Sequence, residues 1–167
     1  MYKNFKKYYR GWRKYLFDFV LIVIIFVAVR GYQNQTVLSG QAVPIEGVLL
    51  DKSPIQWERY QGKPMLIHFW ASWCRICRIE EDSIQSISED YAVLSIASWS
   101  EDTLSYMRQQ GLSFPTLDDV NGKWAETYGI KAVPASFIVN SEGQIKFIES
   151  GYSSEVGLRL RLWWLGI

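Results

Sequence analysis

Residues Met65–Trp70 read MLIHFW, a run of apolar side chains interrupted only by the chain's one histidine, His68. A run like this, without polar alternation, is a strand covered on both faces, so its sheet needs packing layers on either side. The flanking sequence supplies them. Ile76, Ile79, Ile84, Ile87 and Tyr91 recur at helical spacing, AVLSIAS (92–98) is a second buried strand, and EDTLSYMRQQ (101–110) is a helix that Gly111 stops. NGKWAETYGI (121–130) holds a short helix. ASFIVN and QIKFIES are strands joined by the turn SEG, and Ser153 or Ser154 caps a last helix. Upstream, IEGVLLDKSPIQWERYQGKP (45–64) alternates around DKSP and is expected to form a short hairpin ending at Gly62–Pro64. Strands alternating with helices, followed by a terminal hairpin, define an α/β fold with a central mixed sheet flanked by helices.

Between the first strand and its helix lie both cysteines of the chain, Cys74 and Cys77, in ASWCRICRIEED. A disulfide between them closes so short a loop that little entropy is removed from the unfolded chain, which makes a purely structural staple poorly motivated. A closed zinc site needs four ligands, and the neighbourhood offers two thiolates and His68. Haem attachment needs His after the second cysteine, where Arg78 stands. Two-coordinate Cu(I) on the dithiolate remains open on ligand softness. The redox reading also accounts for the surroundings. At a helix start Cys74 meets unpaired N–H groups and the positive end of the dipole, and Arg75 and Arg78 act in the same direction. Cys77, one turn deeper, stays protonated until it resolves the bond that Cys74 forms. An ordinary solvated helix face is the competing account of the arginines.

With 167 residues, 49% of them apolar, the chain suits one domain plus a tail. Lys3, Lys6, Lys7, Arg10, Arg13 and Lys14 precede any acid, so a formal +1 overall leaves +1 − 6 = −5 on the remainder. These cations stop where an apolar run begins, a pattern of membrane insertion and not of nucleic-acid binding. The run, YLFDFVLIVIIFVAV (15–29), is broken only by Asp18. It is somewhat short of the roughly 20 residues of a bilayer span, with Trp12 and Tyr32 available as interfacial ends. No A-x-A cleavage pattern follows. We expect an uncleaved anchor, with the basic end in the cytoplasm and the remainder in an oxidising compartment, a bacterial periplasm. The expected organisation is a basic cytoplasmic segment (1–14), a transmembrane signal-anchor (15–30), a linker (31–42) and a folded domain (43–167).

FWASWCRICRIEE together with LLDKSPIQWERYQGKP, FPTLDD and YGIKAVPASFIVNSEGQI resembles the membrane-tethered thioredoxin-like proteins of the TlpA/ResA type, and most closely their suppressor-of-copper-sensitivity D group. The resemblance runs from about Val43 to the C-terminus and implies a thioredoxin-like fold and a thiol-disulfide oxidoreductase without cofactor or resident metal. It implies a cis-proline loop, here Val133–Pro134, facing the two cysteines, with Trp73, Arg75 and Val133 toward the substrate. It also places an acid three residues after the second cysteine, here Glu80, as a proton relay for Cys77. A preference for acids near helix starts is the plain alternative. A proline that often follows in the family is replaced by Asp82. His68 occupies a position that is a buried Asp in thioredoxin; it either adjusts thiol ionisation from beneath or is a satisfied core residue. The implied partners are periplasmic protein thiols and disulfides, and a DsbD-type membrane electron donor recharging a protein disulfide reductase. A Cu(I)-binding or copper-tolerance module using the same cysteines is the alternative.

Overall fold

The computed structural model describes residues 15–25 and 37–167, and the chain divides into two units, Met1–Gln35 and Thr36–Ile167. In the first, residues 15–25 are helical and every one is exposed, from Tyr15 at 73% to Val23 at 42%. Among the described residues no helix is long and apolar enough to cross a membrane. The expected basic segment 1–14, the end of the expected anchor (26–30) and the start of the linker (31–36) lie outside the described residues.

The second unit is built on a six-stranded sheet of order β1-β6-β5-β2-β3-β4, formed by β1 (Gly40–Gln41), β2 (Met65–Trp70), β3 (Ala92–Ser98), β4 (Thr116–Asp119), β5 (Ala135–Val139) and β6 (Gln144–Ser150). All six residues of β2 are buried, as the unbroken apolar run requires. It pairs in parallel with β3 and antiparallel with β5, so the sheet is mixed. Alternation along β2 sorts the core into two layers. Met65, Ile67 and Phe69 pack with Leu94, Phe137 and Tyr128, whose rings lie 5.1–5.8 Å apart. Leu66 and Trp70 face the other way, toward Ile84 and Ile87 of α1 (Arg75–Asp90), Met107 of α2 (Thr103–Gln110) and Leu158 and Leu162 of α4 (Glu155–Leu165). Ser154 caps α4, accepting the N–H of Gly157 at 3.2 Å.

Two expectations change. The hairpin expected over 45–64 is confined to the DKSP turn, where the Leu49 N–H reaches the Ser53 carbonyl at 2.8 Å and the Ile55 N–H the Gly47 carbonyl at 2.9 Å, and it does not run on to Gly62–Pro64. Val48 and Pro54 form one isolated bridge, Leu49 bridges to Leu117 of β4, and Trp57–Tyr60 are a 3-10 turn. In α1 the core stripe is Cys77, Glu80, Glu81, Ile84 and Ile87, while Ile76 and Ile79 are 47% and 67% exposed. The junction of β4 with the short helix α3 (Lys123–Thr127), which no expectation covered, is made by a buried acid. Asp119 accepts the Ser98 hydroxyl at 2.7 Å and the N–H groups of Trp124 and Ala125 at 3.1 and 3.0 Å, which satisfies donors that a helix start leaves unpaired.

Candidate active site

Chain leaving β2 turns through Ala71–Trp73 and enters α1 with Cys74 as its N-cap, in extended conformation. The first N–H groups of a helix lack internal acceptors, and Cys74 Sγ accepts one of them, from Cys77, at 3.2 Å. The two cysteines form a disulfide with their Cα atoms 5.3 Å apart. Cys77 is the more deeply buried, 1% exposed against 6% for Cys74. Across from them the Val133–Pro134 peptide bond is cis, and the Val133 carbonyl oxygen lies 3.7 Å from Cys74 Sγ. In the disulfide this is a contact. A reduced Cys74 thiol in the same place has a hydrogen to donate to that oxygen. Pro134 is held in turn by the N–H of Gly151, which reaches its carbonyl at 2.8 Å.

The surface beside the sulfurs is apolar with cations set into it. Trp73 is 60% exposed, and Arg75 and Arg78 lie on the solvent side of α1 with Ile76 and Ile79. Arg78 reaches the Ser72 carbonyl at 3.4 Å and sits 5.8 Å from the Tyr106 ring centroid. Tyr106 donates to Glu81, and burial together with that acceptor pushes its hydroxyl up to about 12.

Sequence reasoning missed the loop that holds Trp73. Trp99 and Asp102 adopt left-handed backbone conformations, φ 54° and 53°. The Trp99 carbonyl accepts the Trp73 indole N–H at 2.8 Å, and Ser100 Oγ accepts the N–H of Ser72 at 3.0 Å. Gly122, at φ 71°, permits this arrangement, because a Cβ there would overlap the Trp99 indole. Nothing near Gly122 in the sequence signals this, since its partner lies 23 positions away.

Besides Glu81, two buried ionisable groups, Glu80 and His68, lie on the side of the sheet where the cysteines pack. Glu80 lies three residues after Cys77 on the same buried stripe. Its Oε1 accepts the N–H of Ser153, while Oε2 and the Ser153 hydroxyl have no partner. Burial raises the Glu80 carboxyl to about 7, against the opposing pull of that N–H. His68 is on the face of β2 that carries Leu66 and Trp70, the layer in which the cysteines pack. Its Nδ1 lies 2.9 Å from Ser136 Oγ on the paired strand. Burial lowers its pKa to about 3, so the ring is neutral at ordinary pH. Cys74 thus meets Cys77 and the Val133 carbonyl directly, with Pro134 next across the cis bond, while Glu80 shares the buried stripe of Cys77 and His68 lies on the strand face turned to the same side. Among the described residues no group of three or more His, Cys, Asp or Glu is placed to hold a metal ion.

Residues 40–148 match the model of the AhpC/TSA family. A thioredoxin-like protein of Haemophilus influenzae is 34% identical over 106 residues, which are 61% of this chain and 63% of that one, so the chain spans a little under two thirds of this relative. The thiol-disulfide oxidoreductase ResA of Bacillus thuringiensis subsp. konkukian is 26% identical over 145 residues, 78% of this chain and 84% of its own. Among solved structures, the exposed lipoprotein thioredoxin of Streptococcus pneumoniae superposes with a TM-score of 0.64 at 26% identity, covering 74% of this chain and all of its own.

Proposed function

The chain belongs to the AhpC/TSA family, and on that premise we propose that it is a thiol-disulfide oxidoreductase, a protein disulfide reductase held at the bacterial inner membrane and working in the periplasm. The observation that carries this reading is the setting of Cys74, an N-cap sulfur that accepts the Cys77 N–H at 3.2 Å and lies 3.7 Å from a backbone carbonyl. Relatives named as thiol-disulfide oxidoreductases support the same chemistry.

In the forward reaction the Cys74 thiolate attacks one sulfur of a substrate disulfide. A mixed disulfide forms and the other substrate sulfur leaves as a thiolate that takes up a proton. The Cys77 thiol then gives its proton to the Glu80 carboxylate and attacks Cys74 Sγ, which closes the Cys74–Cys77 bond and expels the second substrate thiolate, and that thiolate takes up a proton as Glu80 releases its own. Substrate has gained two electrons and two protons. A membrane dithiol of the DsbD type returns the same to this protein, at the cost of its own oxidation. Trp73 and Arg75 flank the attacking sulfur, and the Val133–Pro134 edge is open to an extended substrate segment. His68, buried on β2, stays neutral and keeps charge away from Cys77.

The test is partner trapping. A Cys77→Ala chain expressed in the periplasm should accumulate mixed disulfides through Cys74, resolved on non-reducing gels, while Cys74→Ala accumulates none. If neither variant traps protein and Cys77→Ala instead abolishes Cu(I) retention, the pair is a copper site and the oxidoreductase reading fails.

A further inference from the structure

Helix α4 buries Leu158 and Leu162 against the sheet. Its opposite face shows Val156, Leu160, Trp163 and Trp164, which are 56–68% exposed, and Ile167 follows at 84%. Positions 156, 160, 163 and 164 make one stripe about 100° wide on a helix, the width of a core-facing surface, yet here it faces outward where polar residues are the rule. Nor do the helix's own charges cover it. Arg159 is paired with Asp90 at 2.6 Å and with Glu155 at 2.8 Å, and Arg161 with Glu149 at 2.8 Å, along the two flanks. The stripe offers a partner apolar area and two indoles, with no charge to select a polar one.

We propose that this face of α4 lies in the interfacial region of a phospholipid bilayer, on the outer side of the membrane that holds residues 15–29. This rests on the anchor reading above. Two adjacent indoles at the end of an apolar stripe suit the headgroup boundary, where an apolar ring and a wet N–H are both accommodated. A short interfacial helix binds weakly alone and needs a second attachment. The apolar run ends at Val29 and β1 begins at Gly40; the ten residues between them reach about 35 Å at full extension. An anchored chain therefore keeps α4 close enough for weak binding to suffice. Docking also sets the height of the redox site, since Ser153, two residues before α4, donates its N–H to Glu80.

The test uses the full chain reconstituted into phosphatidylcholine vesicles with brominated acyl chains, reading flotation and tryptophan quenching together. The expected result is that wild type floats and is quenched, and that Leu160→Glu, which retains all eight tryptophans, still floats but loses as much quenching as Trp163→Phe/Trp164→Phe does. Insulin reduction in detergent should be unchanged by Leu160→Glu, showing that the fold is intact. A floating Leu160→Glu chain with wild-type quenching overturns the docking and leaves the anchor standing. Failure of wild type to float overturns both. If Leu160→Glu instead turns a dimer into a monomer by sedimentation with no change in quenching, the stripe serves a second copy and the lipid proposal is wrong.

Discussion

Cys74 Sγ lies 3.7 Å from the carbonyl oxygen of Val133 and accepts the N–H of Cys77 at 3.2 Å. The two neighbours pull the reduced sulfur in opposite directions, because the carbonyl favours a thiol and the N–H a thiolate. The carbonyl contact is the longer, and the helix start adds its dipole to the N–H, so thiolate wins. In reduced protein Cys74 should alkylate with an apparent pKa below the free value of about 8.5, and Cys77, 1% exposed, should lag well behind. Mass spectrometry of iodoacetamide adducts against pH checks this; faster labelling of Cys77 would reverse the two roles.

Glu80 titrates where the reaction needs it. With its carboxyl raised to about 7 by burial, the fraction able to accept the Cys77 proton grows as pH rises through neutrality. Glu80→Gln should slow resolution of the mixed disulfide by about tenfold to a hundredfold at pH 7 and flatten its pH profile there. The same shift bears on stability. A carboxyl whose folded pKa exceeds its unfolded value of 4.5 costs stability as pH rises between 4.5 and about 7, up to about 3 kcal/mol in all. Denaturant titrations of Glu80→Gln across that window should lack the loss.

His68 has the opposite slope. Its folded pKa of about 3 lies below the ordinary 6.5, so the unfolded chain takes up a proton first and stability is lost as pH falls below 6.5. His68→Asn can still reach Ser136 and should lose less stability between pH 6.5 and pH 4 than wild type. Chemical denaturation at the two pH values measures the difference.

Gly122→Ala tests the support of Trp73 at a distance. The added Cβ meets the Trp99 indole at a left-handed position, which should destabilise the domain by about 1–3 kcal/mol. Displacing Trp99 moves the carbonyl that holds the Trp73 indole, so the tryptophan emission should change and substrate KM should rise more than kcat falls. Activity unchanged in a variant of reduced stability would separate Trp99 from the site.

What the sequence revealed depended on whether the cause was local. MLIHFW is buried on both faces because its six residues say so without help, and Cys74 is a cap because a helix follows it at once. The core stripe of α1 lies one step away from where hydrophobicity alone puts it. Ile76 and Ile79 look like core by hydrophobicity, but placing Cys77 inward turns them to solvent and brings Glu80 and Glu81 inside. The resemblance singles out Glu80 three residues after Cys77, but no local pattern tells that its carboxylate accepts the N–H of Ser153, 73 positions away. Nor does any signal ahead of the fold link Gly122, Trp99 and Trp73, or tell that Leu49 would bridge to Leu117.

The direction of electron flow is the centre of this account, and the redox state of the Cys74–Cys77 pair in growing cells measures it. Cells are quenched with acid and free thiols are tagged with a mass label, so that reduced and oxidised chains separate on a gel. The expected result is a mainly reduced pair that becomes oxidised when the DsbD-type donor is deleted, because a periplasm kept oxidising does not supply those electrons otherwise. A pair found oxidised in both strains would contradict the reductase.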